Sequence, residues 1–142
     1  GGADPPATIR SLAADDLVIA GFVPDLTPYL EASRISISPL RYGAGVKGKV
    51  NQAMSFGLPV VATTPSIEGM HLTPGSDVLI GDDPQAFADA VVRAYRDRAL
   101  WERLAAGGLD NVGRHFSREV ATAAISELLV LVDMKGRNRR SA

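Results

Sequence analysis

Ile35–Thr63 reads ISISPLRYGAGVKGKVNQAMSFGLPVVAT, and this stretch decides the fold. Ile alternates with Ser from Ile35 to Ser38 as in a half-buried strand, until Pro39, which lacks a backbone N–H, stops it. A glycine-rich loop, Arg41–Gly48, follows. Lys49–Phe56 then carries helical spacing that ends at Gly57, and Pro59–Thr63 is a second β-branched run. Strand, loop, helix and strand in so short a span form a βαβ unit, because parallel strands need a crossover between them.

Working outward, Leu17–Val23 (LVIAGFV) is a short β-rich run, and Leu26–Ser33 shows helical spacing behind Asp25. Ala7–Ala13 reads as a helix entered from the loop Gly1–Pro6. On the other side, Asp77–Ile80 (DVLI) is a further strand. Asp82–Asp97 is an amphipathic helix with Phe87, Ala90, Val91 and Tyr95 at spacings of three and four. From Ala99 there is only helix: Leu100–Ala106, a break at Gly107-Gly108, helical spacing to Phe116, and a last helix capped by Ser117 and running to about Met134. The expectation is an α/β fold: a Rossmann-like parallel sheet with strands near 17–23, 34–39, 58–63 and 77–81, helices on both faces and a helical carboxyl-terminal third. Residues 1–142 form a single domain in this reading.

The composition narrows the function. Fifteen Lys and Arg against sixteen Asp and Glu leave a net charge of −1 on 142 residues, with no surplus of positive charge for a phosphate backbone, so nucleic acid is not an expected partner. With 46% apolar and 22% charged residues the chain is globular, and it has no run of apolar residues long enough to span a membrane. It has no Cys, which excludes disulfides, zinc–thiolate sites and a thiol nucleophile. Its two histidines, His71 and His115, are far apart in sequence, so no metal site is expected. No signal-peptide pattern opens the chain, which makes the cytoplasm the default compartment. The basic tail Lys135–Arg140 suits a helix carboxyl end, and its second reading is a peripheral membrane contact.

The chemistry sits in the loop Gly43-Ala44-Gly45-Val46-Lys47-Gly48-Lys49. In an open parallel sheet, ligands bind outside the carboxyl ends of the strands, and the free amides of a following helix attract anions. Arg41, Lys47 and Lys49 add cations beside those amides, and glycines let an oxygen approach the backbone. A diphosphate suits this arrangement. The loop also fits G-x-G-x-x-G, with Glu68 twenty residues beyond Gly48, but Arg41 and Tyr42 separate the first glycine from the strand end. It fits the phosphate-loop pattern up to Val50, which cannot hold magnesium as Ser or Thr would.

Val18–Met70, VIAGFVPDLTPYLEASRISISPLRYGAGVKGKVNQAMSFGLPVVATTPSIEGM, resembles the carboxyl-terminal, donor-binding domain of family 4, group 1 glycosyltransferases with the two-domain GT-B fold. GFVPDL, PLRYGAGVKGK and AMSFGLPVVAT are its most specific parts, and the similarity continues through DVLIGDDPQAFADAVVRAYRD and LWERLAAGG. The resemblance implies a retaining transferase that binds a nucleotide diphosphate sugar as substrate, with no cofactor and no essential metal. It implies that amides around Gly43–Lys47 meet the diphosphate, that Gly21 and Phe22 lie near the base, and that Glu68 faces the sugar or the phosphates. Many members carry two glutamates eight positions apart. The first contacts the sugar and the second the ribose, and here those positions are Ala44 and Gln52. Gln52 can hydrogen-bond a hydroxyl but without charge.

The family's first strand and its amino-terminal, acceptor-binding half are expected before Gly1. The resemblance therefore describes a fragment that does not transfer sugar alone and that self-associates through an open sheet edge. Two other readings accompany it: a non-catalytic sugar-nucleotide module, which Ala44 and Gln52 favour, and a sugar-nucleotide epimerase of the same fold. Among the remaining residues, His71 reads as a surface-loop side chain with a cleft-lining alternative. His115 complements a helix dipole, and Trp101, Met54 and Met70 are packing residues. Leu128–Val132 (LLVLV) is more apolar than one buried face requires, which marks it as interface with the missing half.

Overall fold

The structure, a computed structural model, describes residues 4–140, apart from the side chains of 131 and 133–140. The expected opening loop falls partly outside these residues, and the side chains of the basic tail fall wholly outside them. The chain divides into two compact units, Gly1–Ala32 and Ser33–Ala142.

The first unit holds two short helices, α1 (Ala7–Arg10) and α2 (Thr27–Ala32). Asp25 accepts from the Thr27 N–H at 2.9 Å, which starts α2 where the sequence placed its cap. The strand expected at 17–23 does not form. Its only pairing is an isolated antiparallel bridge between Ala14 and Leu17, closed by two backbone bonds of 3.0 Å. A strand holds its shape by exchanging backbone bonds with a neighbour, and among the described residues none runs beside this segment.

The second unit contains the sheet. Strands β1 (Ser36–Ser38), β2 (Val60–Ala62) and β3 (Val78–Ile80) lie in the order β1-β2-β3, all parallel, with Ile37 opposite Val61 and Val61 opposite Leu79. These are the cores of the three expected segments. Between them run α3 (Gly48–Ser55) and α4 (Thr64–Ile67); α5 (Pro84–Arg96), α6 (Arg98–Phe116) and α7 (Arg118–Arg140) follow. The four-residue α4 falls in a stretch that the sequence reading left as loop.

All three residues of β2 are fully buried. Val61 and Leu79 pack with Ala90 and Ala94 of α5, Leu100 and Leu104 of α6, and the partly buried Phe87 and Val91. Val60 and Ala62 point the other way and are just as buried, so both faces of the sheet are covered. The core of α3 is Val50, Ala53 and Met54; this helix packs on β1, β2 and α6. Met54 and Met70 are fully buried, as expected of packing residues. Trp101 is half-buried, and its Nε1 donates to the Arg34 carbonyl at 2.7 Å. On α5, Tyr95 is exposed with the Arg34 guanidinium 5.2 Å from its ring centre, and Ala94 takes the core position expected for it.

Asp83 and Asp97 cap α5 and α6 by accepting from Ala86 N and Leu100 N. The expected break at Gly107-Gly108 is absent, and α6 runs through it. A Cβ on Gly107 would sit 2.5 Å from the Ser76 carbonyl, and one on Gly108 would sit 3.0 Å from Met54 Cγ. The pair admits close neighbours on two sides, and a helix tolerates glycine where packing demands it. Ser117 Oγ accepts from Val120 N at 3.3 Å at the start of α7, as expected. Leu128, Leu129, Val130 and Val132 on that helix are exposed. No helix among the described residues is long and apolar enough to cross a membrane.

Candidate functional site

Just past each strand end stands a polar or charged residue: Arg41 after β1, Thr63 and Thr64 after β2, and Asp82 after β3. With Leu40 and Pro65 they line an open cleft of about 490 Å³. The cleft lies at the carboxyl edge of the sheet, where open parallel sheets take their ligands.

A knot of buried hydroxyls fixes the floor of the cleft. Ser66, fully buried at the base of α4, donates to the Ser38 carbonyl at 2.5 Å. Its oxygen accepts from the Leu40 N–H at 3.3 Å and from Ser38 Oγ at 3.1 Å. Thr63 Oγ1 donates to the Leu40 carbonyl at 2.5 Å. Burying hydroxyls costs free energy unless they are bonded, and here each one is. The result ties the end of β1, and therefore the start of the glycine loop, to the turn after β2. The Ser residues of the ISIS alternation were read only as the polar face of a strand, which is why the sequence did not single out Ser38.

Asp82 is also fixed. Its carboxylate accepts from the Thr64 N–H and from Thr64 Oγ1, both at 2.7 Å. The backbone N–H first, and the hydroxyl second, hold the Asp82 carboxyl below the ordinary carboxylate range. Sequence reasoning placed Asp82 at a helix start and missed it as a site residue. The strand-end rule, applied to DVLI as well as to ISIS, would have found it.

The glycine loop is ordered by its own lysine. Lys47, only 8% exposed, turns its ammonium back to donate to the Gly43 carbonyl at 3.2 Å and the Gly45 carbonyl at 2.5 Å. Gly43 and Gly45 hold φ of +144° and +73°, values that L side chains rarely adopt. Among the described residues the backbone N–H groups of Gly43 to Lys49 donate no hydrogen bond, and α3 has no side-chain cap. The loop's carbonyls are thus drawn onto an ammonium while its N–H groups stay unengaged.

The expected site residues are thus placed in different ways. Arg41 lines the cleft, and Lys47 lies inside its own loop. Lys49 and Gln52 share an exposed face of α3, three residues apart. Ala44 is exposed in the loop. Glu68 is exposed at the carboxyl end of α4 and is not among the residues that line the cleft. Gly21, at φ +68°, and Phe22, an exposed side chain, belong to the first unit.

Fold and site together define a parallel α/β domain with a glycine-rich loop after β1 and a cleft at the carboxyl edge of its sheet. The sequence model described as "Glycosyl transferases group 1" matches residues 1–97, and the chain belongs to that family. Among solved structures it is similar to sucrose-phosphate synthase from Thermosynechococcus elongatus, with a TM-score of 0.68 at 23% identity. That match covers 78% of this chain and 28% of the other, so the chain spans little more than a quarter of that protein. No curated protein matches the chain. The expected family and fold class, a Rossmann-like α/β domain of the GT-B type with a helical carboxyl-terminal region, are borne out.

Proposed function

We propose that the chain is the donor-binding half of a glycosyltransferase that takes a sugar from a nucleotide diphosphate sugar. The observation that carries this reading is the loop from Gly43 to Lys49, whose N–H groups are unengaged while Lys47 occupies its carbonyls. A diphosphate brings two or more negative charges, and the loop amides, Arg41 and the remaining N–H of the Lys47 ammonium meet them without a metal ion. In this reading Lys49 adds its charge to the diphosphate side and Gln52, on the same exposed face of α3, serves a ribose hydroxyl. Family membership supports retention of anomeric configuration.

In this reading the acceptor site belongs to another domain. Holding donor and acceptor together supplies about 7–11 kcal/mol in favourable cases, so the 142-residue chain binds donor without turnover. The neutral residues at Ala44 and Gln52 favour a second reading, a sugar-nucleotide module with no catalytic role. Calorimetric titration with uridine, guanosine and adenosine diphosphates tests the shared core of both. Saturable binding of one of them is expected, and no binding of any would sink the proposal. Turnover by a longer chain carrying the acceptor domain separates the enzyme from the module.

A further inference from the structure

The cleft is divided in charge: Arg41 stands on the β1 side, and Asp82 stands past β3. A diphosphate would be drawn to the first and repelled by the second, so the part of the cleft that Asp82 lines suits a neutral portion of the ligand rich in hydroxyls. An ionised carboxylate offers about four acceptor positions. Thr64 takes two of them through its N–H and its hydroxyl, both at 2.7 Å. Those two bonds fix the carboxylate plane and leave further acceptor positions on a side chain that lines the cleft. A carboxylate held in this way accepts hydrogen bonds from sugar hydroxyls without first giving up side-chain freedom.

Resting on the reading of the cleft as a donor site, we propose that Asp82, anchored by Thr64, is the residue that reads the hydroxyls of the transferred sugar. Ala44, in the glycine loop, has no polar side-chain atom. Glu68 is the other nearby carboxylate of the segment after β2, but it sits past the end of α4 and does not line the cleft. Asp82 is the acidic side chain among the lining residues. The neighbouring Thr63 is half-buried and uncharged, so the Asp82 carboxylate is the stronger acceptor of the two.

The test compares each nucleoside diphosphate with its sugar conjugates. Uridine, guanosine and adenosine diphosphates are titrated into the 142-residue chain beside UDP-glucose, UDP-N-acetylglucosamine, GDP-mannose and ADP-glucose. One sugar nucleotide is expected to bind at least about tenfold more tightly than its parent diphosphate, the lower bound for a hydrogen bond to a charged group. Asp82→Ala and Asp82→Asn are expected to erase or reduce that ratio while the affinity for the diphosphate itself holds or rises. Thr64→Val, which keeps the backbone anchor and loses the hydroxyl, should reduce the ratio by less.

The proposal fails if the ratio is one for every pair in the wild-type chain. It fails equally if a folded Asp82→Asn keeps the wild-type ratio, or if the Asp82 variants weaken diphosphate and conjugate by the same factor. Absence of any nucleotide binding by the wild-type chain would instead overturn the donor-site reading, and this inference with it.

Discussion

The imidazole of His71 stacks on that of His115, with ring centres 4.4 Å apart and planes 16° from parallel. His71 comes from the turn after α4, and His115 from the last turn of α6. One helical turn earlier, the buried Asn111 donates from Nδ2 to the His71 carbonyl at 2.8 Å. Phe116 borders the pair, 6.3 Å from His71. Together these contacts pin the segment that follows Glu68 to α6. They also hold His71 at φ +56°, a left-handed conformation that costs a residue with a Cβ roughly 1–2 kcal/mol.

The strain gives a test. His71→Ala and His71→Gly both lose the ring stack, but only the alanine keeps the left-handed penalty. The glycine variant should therefore be the more stable of the two by about 1 kcal/mol in urea denaturation. Equal stability would mean that residue 71 does not hold a left-handed backbone.

Two glycines of α6 should respond in opposite directions. Gly107→Ala puts a methyl 2.5 Å from the Ser76 carbonyl and 2.8 Å from Asp77 Oδ1, and overpacking of this kind costs about 1–3 kcal/mol. Gly113→Ala meets nothing within 4 Å in the same helix and should stabilise by about 0.5–1 kcal/mol through helix propensity. Melting temperatures of the two variants decide the matter. Two shifts of the same sign would contradict the packing of α6 against the turn before β3.

The fate of those glycines shows what was legible in the sequence and what was not. Period and punctuation revealed β1, β2, β3, α3 and α5, because alternation, β-branching and helical spacing act locally. Gly107-Gly108 has the same local look as a break, and only the neighbours Ser76 and Met54 show that it serves close approach. Leu17–Val23 has strand composition, yet a strand also needs a partner, which composition cannot supply. At the site, Arg41 was readable from its place beyond a strand end. Asp82 obeys the same rule, but its link to Thr64 spans 18 residues and exists only once β2 and β3 lie side by side.

That link sets a pH dependence. Thr64 holds the Asp82 carboxyl below its ordinary range, and the Thr27 N–H does the same for Asp25. A carboxyl with a lowered folded-state pKa contributes stability that is present above the unfolded value, about 3.9 for Asp. The contribution is lost as pH falls through the lower folded value. In carboxyl-detected NMR, Asp82 should titrate below an unfolded Asp. In Thr64→Val its midpoint should rise but stay below that reference, because the backbone N–H persists. An unchanged midpoint would remove the hydroxyl from the account.

The final prediction separates the two lysines of the loop. Lys47 is buried, with its ammonium on the Gly43 and Gly45 carbonyls, whereas Lys49 projects from the exposed face of α3. If the loop receives a diphosphate, Lys47 acts twice: it keeps the carbonyls turned inward, and its third N–H supplies a charge-assisted bond. Lys47→Met keeps most of the aliphatic stem and its packing but removes the charge. It should weaken nucleoside diphosphate binding by about 1.5–3 kcal/mol while the chain stays folded. Lys49→Ala removes an exposed charge that solvent screens, and it should cost less than about 1 kcal/mol. Raising the salt concentration should narrow the gap between wild type and Lys49→Ala more than the gap between wild type and Lys47→Met, since screening acts least on the buried group. Wild-type affinity in a folded Lys47→Met variant would place the phosphates outside this loop, and with them the donor site.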